Sequence, residues 1–317
     1  MHPGRQLRAR GREAWSLARE TFAEWSEDKA PRLGAAMAFY AVLSLSPFLV
    51  IAVGIAGVIY GDDAVGAVEA QFEAMLGAEA GRAITEVISS AGGTTESWVA
   101  SLVGLAALLL GASGVFGQLQ DALNTIWEVE PRARRGVLAV VRDRFFSFTM
   151  VLGTGFLLLV SLVFSAALAA AGAYLEGLVP GGAVLWQAAH ALASFAVVTG
   201  LFALIYRVVP DAEVAWRDVW IGAAVTALLF VVGKLAIGLY LGRSSIGSAY
   251  GAAGTLLVLL VWIYYSTQIL FLGAEFTQVY ANRHGSRIRP SRGAVRVGER
   301  QRDAQGIPHR TSSNAAL

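Results

Sequence analysis

Six apolar runs, each long enough to cross a bilayer, dominate this sequence and leave few folds open to it. A spanning helix needs about 20 predominantly apolar residues. The windows 34–60, 98–120, 145–172, 184–206, 218–241 and 253–281 each meet that requirement. In hydrocarbon the backbone N–H and C=O groups must be satisfied within the segment, so runs of this length become helices. Composition agrees: 56% of the 317 residues are hydrophobic, 15% are charged and mean hydropathy is +0.56. A soluble domain carries about 25% charged residues. A soluble globular enzyme, a disordered chain and a fibre are thereby excluded. The expected fold is an all-α integral membrane protein, a six-transmembrane-helix bundle.

The basic residues give that bundle a direction. Segment 1–33 holds seven Lys and Arg, 61–97 one (Arg82), 128–144 five, 173–183 none, 207–217 two, 242–252 one (Arg243) and 282–317 eight. The alternation is in phase with six crossings, and by the positive-inside rule both termini are cytoplasmic. Seven acids crowd 61–97, but acids orient helices weakly. Segment 1–33 is too long and too charged for a signal peptide. Within it, 14–30 suits an amphipathic helix on the inner surface, with Trp15, Leu17, Phe22 and Trp25 set among Arg and Glu.

Three regions follow: a cytoplasmic amphipathic segment 1–33, a six-span membrane domain 34–284, and a tail 285–317. The tail is basic, aperiodic and rich in Pro, Gly and Ser, which predicts disorder close to anionic inner-leaflet lipid. In the 61–97 loop Val65, Val68, Phe72, Met75, Ile84, Val87 and Ile88 recur at helical spacing between Glu residues. That predicts an outer amphipathic helical loop between spans one and two, serving as a cap. Tyr60, Trp98, Trp127, Tyr174, Trp186, Tyr206, Trp220, Tyr240, Tyr250 and Tyr280 fall near span ends. Headgroup-level rings are expected there.

Catalytic machinery is not legible. With no Cys there is no thiolate zinc site, disulfide or Cys nucleophile. The four His (His2, His190, His284 and His309) are isolated in sequence, and neither a HExxH nor a Walker-type GxxxxGK[ST] motif occurs. The reading is of a non-enzyme with no catalytic residues, no metal site and no cofactor. Its partners are the lipid bilayer and, through the basic tails, anionic inner-leaflet lipids. Nucleic acid is not among them, since no aromatics interleave the basic tail. Homo-oligomer formation stays open.

Four segments carry a family resemblance: LGAAMAFYAVLSLSPFLVIAVG (33–54), ALNTIWEVE (122–130), VVPDAEVAWRDVWIGAAVTALLF (208–230) and AYGAAGTLLVLLVWIYYSTQILFLGAEFTQVYANR (249–283). They resemble the YihY/BrkB family of bacterial inner-membrane proteins, over about residues 20–285. The resemblance implies a six-span helical fold in the bacterial plasma (inner) membrane. Members are mostly described as uncharacterised membrane proteins; the namesake is associated with virulence and serum resistance, and transport has been suggested. Many also carry the label ribonuclease BN. The residues argue against that label, because a metal-dependent nuclease needs clustered ligands in water-exposed sites.

An ionisable side chain at bilayer depth costs about 2.5–3.5 kcal/mol on insertion scales, so each one is a candidate site. Lys234 lies well into span five and Glu275 near the inner end of span six. With 1.5 Å of rise per residue, the two should not pair. His190 lies near the depth of Lys234, and Asp121 and Asn124 near that of Glu275, giving a basic outer layer and an acidic inner one. Snorkelling is the bland alternative for Lys234 and Glu275. Candidate partners of Glu275 are Asn124, a protonated Asp121, and the Ser44 and Ser46 hydroxyls beside Pro47, which should break span one. Gln268, with Tyr264 and Tyr265, could face a cavity. The pairs Gly57–Gly61, Gly238–Gly242 and Gly247–Gly251 are expected to let helices approach closely. The leading reading is a transport-type or lipid-handling protein. The runner-up is a non-transporting structural or assembly factor of the envelope, favoured by a solid apolar core over a polar cavity joining spans one, five and six.

Overall fold

The computed structural model describes residues 3–76, 78–91, 114–131, 182–243, 252–291, 293–298 and 306. Helix α1 (Pro3–Glu27) is joined to α2 (Ala30–Tyr60) by Asp28 and Lys29, the latter in the left-handed region at φ 54°. Pro31 occupies the first turn of α2, where a missing N–H costs nothing. A short 3₁₀ turn (Gly61–Asp63) leads to α3 (Ala64–Leu76) and α4 (Ala78–Ala91). Then come α5 (114–126), α6 (Gly182–Val208), α7 (Trp216–Arg243) and α8 (Ala252–His284). The ends of α2, α6, α7 and α8 fall within four residues of the windows predicted for spans one, four, five and six.

Among the described residues, three stretches are long and apolar enough to cross a membrane: Ala191–Val208, Trp216–Tyr240 and Leu256–Arg283, within α6, α7 and α8. Span three (145–172) and most of span two lie outside the described residues. The 61–97 loop matches its prediction through residue 91: Ala64, Val68, Ile84 and Ile88 are buried against Leu49 and Ala56 of α2 and Leu259 of α8. Alternation of these apolar positions with Glu69, Glu73 and Glu86 gives each short helix one face to bury and one to leave in water. The pair therefore caps one end of α2 and α8.

The opposite end departs from an all-α fold. Two small antiparallel sheets form there: β1 (Val129–Pro131) pairs with β4 (Ala294–Arg296), and β2 (Ala212–Glu213) pairs with β3 (Arg289–Pro290). The tail from 285 is thus not disordered from its start; residues 288–291 and 294–296 are laid against the loops that follow α5 and α6. Ser291 N–H donates to the Asp211 carbonyl (2.9 Å) and Val297 N–H to that of Glu128 (2.9 Å), closing the stitching. Short strands of this kind carry no periodic signal of their own, because distant partners satisfy their backbone groups. This end gathers α1, the α5–β1 turn, the α6–α7 loop and the chain beyond α8, of which the first and last are rich in Arg. It is called the basic end below.

Two further expectations are corrected. Pro47 does not break span one, since α2 runs through it as a continuous helix. Lipid-embedded helices tolerate proline where neighbours take up the freed backbone groups. Trp127 and Tyr206, expected at the headgroup level, are instead 1% and 0% exposed at the centre of the main core. Their rings meet at 5.8 Å, and Phe202 stacks on Tyr206. The chain folds back over the basic end and covers positions that a bare helix end would leave at the interface. Trp216, Trp220 and Tyr240 do stay exposed, as interfacial rings should.

Candidate functional site

The inner half of α8 is where the polar residues collect. From Phe271 to Ala281 the helix buries Phe271, Gly273, Ala274, Glu275, Thr277, Gln278, Val279 and Ala281, so burial extends around most of its circumference. A helix buried all round sits inside a bundle rather than on its surface. Glu275 is 0% exposed and Gln278 2%. Glu275 therefore does not snorkel to water.

Close approach of α7 to α8 creates this burial. A Cβ added at Gly222 would run into Thr277, its Cβ only 2.7 Å away, and one added at Gly273 would meet Thr226 Cβ at 2.8 Å and the Tyr206 hydroxyl at 2.7 Å. The arrangement is reciprocal: each helix offers a Gly to the other's Thr, in the spacing Gly222-x-x-x-Thr226 and Gly273-x-x-x-Thr277. Thr277 Oγ1 donates to the Gly273 carbonyl at 2.7 Å. Tyr206 OH donates to the Leu270 carbonyl at 2.7 Å and also lies 3.0 Å from Thr226 Oγ1, which is 2.8 Å from the Gly222 carbonyl. Two hydroxyl hydrogens serve these three contacts, so one of them is shared between two acceptors. Gly233 continues the seam against Tyr265 and Ile269. In this antiparallel register Lys234 stands level with Tyr265, about 15 Å along the axis from Glu275. The two do not pair, as their depths predicted. Lys234 is half-buried.

Asn124 is not a partner of Glu275. Its Nδ2 donates to Asp211 Oδ2 (3.1 Å), while the Asp211 N–H donates to Asn124 Oδ1 (2.8 Å). Gln120 Nε2 adds a third bond to Asp211 Oδ2 at 3.2 Å. Asp211 thus ties α5 to the loop before α7, and its carbonyl holds Ser291. Asp121, on the neighbouring side of α5, opens toward a cleft. Burial raises its carboxyl above the ordinary range, and the nearby Asp211 charge adds to the rise.

That cleft, of about 510 Å³, opens at the basic end between the α1–α2 junction, α5 and β1. Its walls carry Asp28, Asp121, Glu128 and Glu130 against the single guanidinium of Arg32, with Asn124, Thr125, Leu33, Val129, Pro131 and Val297 completing them. The volume lies within the range of small-molecule sites. No three His, Asp or Glu among the described residues are grouped closely enough to grip a metal ion. Spans five and six contribute none of the lining.

The remaining candidates scatter. Ser44 Oγ donates to the Ala41 carbonyl at 3.1 Å, so its hydroxyl is satisfied within its own turn. Gln268 lies against Gly34 at the start of α2, where an added Cβ would collide with its amide. No hydrogen bond to that amide is made among the described residues. The side chains of Ser46, Pro47 and His190 lie outside the described residues. Sequence reasoning missed Asp211, Tyr206, Thr226 and Asp218. Asp218, 4% exposed in the first turn of α7, accepts from the N–H (2.9 Å) and hydroxyl (3.0 Å) of Ser286 beyond α8. The doubled Gly-x-x-x-Thr spacing was the available signal for Thr226. Asp211 had only its place in a Val-Pro-Asp turn.

Comparison with known proteins places the molecule. The family described as virulence factor BrkB matches residues 21–297. A UPF0761 membrane protein of Verminephrobacter eiseniae is 34% identical over 177 residues, 56% of this chain and 40% of the relative. One from Azoarcus sp. is 27% identical over 264 residues, 80% of this chain and 60% of the relative. One from Pseudomonas aeruginosa is 28% identical over 251 residues, covering 78% and 58%. The chain thus spans 40 to 60% of the length of these curated relatives. No solved structure matches it. With a family match running from α1 to the strand that closes the basic end, and apolar helices of membrane-spanning length, the chain is a membrane protein that belongs to the BrkB virulence-factor family.

Proposed function

We propose that this is a six-span protein of the bacterial inner membrane, both termini cytoplasmic, that moves or handles a solute or lipid through a site at its cytoplasmic end. One observation carries the reading: span six keeps a carboxylate, Glu275, at 0% exposure in the bundle interior. An apolar residue there would avoid the insertion cost, so the carboxylate calls for a role; intramembrane acids in transporters carry protons or bind cations. The acid-lined cleft at the same end supplies an aqueous approach. On this reading Asp121, Asn124 and Gln268 shape the path, and Lys234, His190, Ser44, Ser46 and Pro47 tune the packing of the outer half. The chain is not an enzyme and uses no cofactor.

The test is flux in proteoliposomes across ions, amphiphiles and lipid headgroups. Glu275→Gln should abolish flux with detergent melting unchanged, and Glu275→Leu should lower both. Variants indistinguishable from wild type would overturn the reading. The same purified protein should leave RNA intact; cleavage lost on His190→Ala would revive the nuclease label.

A specific observation favours a second reading, an envelope structural or assembly factor. The α7–α8 seam is packed to Gly–Thr contact, and the cleft does not reach it. On that view no solute moves, and Glu275→Gln complements a deletion strain as well as wild type does.

A further inference from the structure

Helix α1 has two unlike sides. At 100° per residue, Glu13, Ser16 and Glu20 share one side, while Arg12, Trp15, Arg19 and Phe22 share the other. The acidic side is occupied. Glu20 pairs with Arg283 at the end of α8, Arg283 Nη1 donates to Ser16 Oγ at 3.0 Å, and His284 Nε2 lies 2.8 Å from Glu13 Oε1. The other side carries large exposed rings. Trp15 is 73% exposed and Phe22 61%, and Arg12 and Arg19 are exposed with them. Large aromatics left this far out on a helix otherwise held in place mark an interaction surface.

The position of α1 selects the occupant. It is bound at one end to the start of span one and along its acidic side to the last turn of span six, so it lies where the bundle leaves the hydrocarbon. At that level the neighbouring medium is headgroup, in which indole and phenyl rings are at home and guanidinium meets phosphate oxygens in pairs. The alternative occupants fit less well. A second copy would have to place Arg against the same Arg side or unseat the acids already paired to α8, and water alone gains nothing from the two rings.

We propose that this side of α1 binds anionic phospholipid of the adjoining leaflet, with the Arg19 guanidinium on headgroup phosphate and the Trp15 and Phe22 rings between the lipids. The inference rests on the membrane location and not on any transport activity. It also narrows the expected lipid contact to α1, because the first part of the basic tail is engaged in β3 and β4.

Since the chain contains no cysteine, Trp15→Cys provides a unique attachment point for an environment-sensitive bimane. The labelled full chain is placed in nanodiscs of phosphatidylcholine with or without phosphatidylglycerol, and quenching by headgroup-region doxyl lipid is read. Quenching several-fold stronger with phosphatidylglycerol, weakened by salt, abolished by Arg19→Glu and largely kept by Arg19→Lys, is expected. Equal quenching in both discs would show apolar insertion without anion recognition and overturn the proposal, as would no quenching in either. Detergent melting of each variant confirms that α1 remains docked: Arg19 is exposed and lies off the side that pairs with α8, so the melting temperature should not move.

Discussion

At the scale of single residues the decisive positions are ones where no side chain is present. Gly222 and Gly273 admit Thr277 and Thr226 so closely that an added methyl would overlap atoms that cannot rotate away, since the clash is with a Thr Cβ as well as its hydroxyl. Gly273→Ala should therefore cost about 1–3 kcal/mol, the usual penalty for overpacking. It should also loosen the Tyr206 bond to Leu270. Thr226→Ala in the same chain should recover part of the loss, because it removes the hydroxyl but leaves the Cβ. A double-mutant cycle on detergent melting measures the coupling; additive losses would mean that the two residues do not share the contact. Two glycines picked out by spacing alone behave differently, while the pair Gly247–Gly251 lies outside the described residues. An added Cβ at Gly57 or Gly238 would find no described atom within 4 Å. Spacing shows which glycines share a helix face, but not which face meets another helix.

Individual elements were legible in proportion to how local their causes are. The ends of α6, α7 and α8 follow from apolar length, and α3 and α4 from the alternation of Val and Ile with Glu. The strands of the basic end were not legible: β2 and β3 are two residues long, and each exists because its partner lies beside it. Trp127 and Tyr206 were misplaced for the same reason, since those strands help to roof the core in which both are buried. One side chain from outside the strands helps to hold the junction after α8. Asp218 satisfies the backbone N–H of Ser286 just past the helix. Asp218→Ala leaves that group without its acceptor, at about 1–3 kcal/mol. Its first visible effect should be faster tryptic cleavage after Arg287, before any change in global melting. Unchanged cleavage kinetics would show that the β2–β3 pairing suffices without the clasp.

For the whole molecule, the question is which way the bundle lies. The structure brings residues 129–131, 212–213, 289–290 and 294–296 to one end together with α1. The charge alternation assigns those segments to one side of the membrane. A reporter active only in the cytoplasm should give signal when fused at residues 135 and 290 and none at residue 90; signal at 90 would reverse or break the topology. How much of the candidate site was legible follows the same division between local and distant causes. Glu275 stood out from its depth alone, as did its separation from Lys234. The attachment of Asn124 to Asp211 did not, because nothing in the order of residues says that α5 ends beside the loop before α7.

The pairing of β1 with β4 also bears on the order in which the molecule can be completed. Chains are made from the N-terminus, and Val129 is synthesised with more than half of this sequence still to come, yet its ladder partner is Arg296. Throughout that interval the roof over Trp127 is missing one of its edges, while later spans are threaded and brought alongside. Strand β4 then fastens a loop that emerged long before it. A polypeptide interrupted between Pro131 and Ala294 would keep that edge bare, so the bundle has a built-in mark of an unfinished chain.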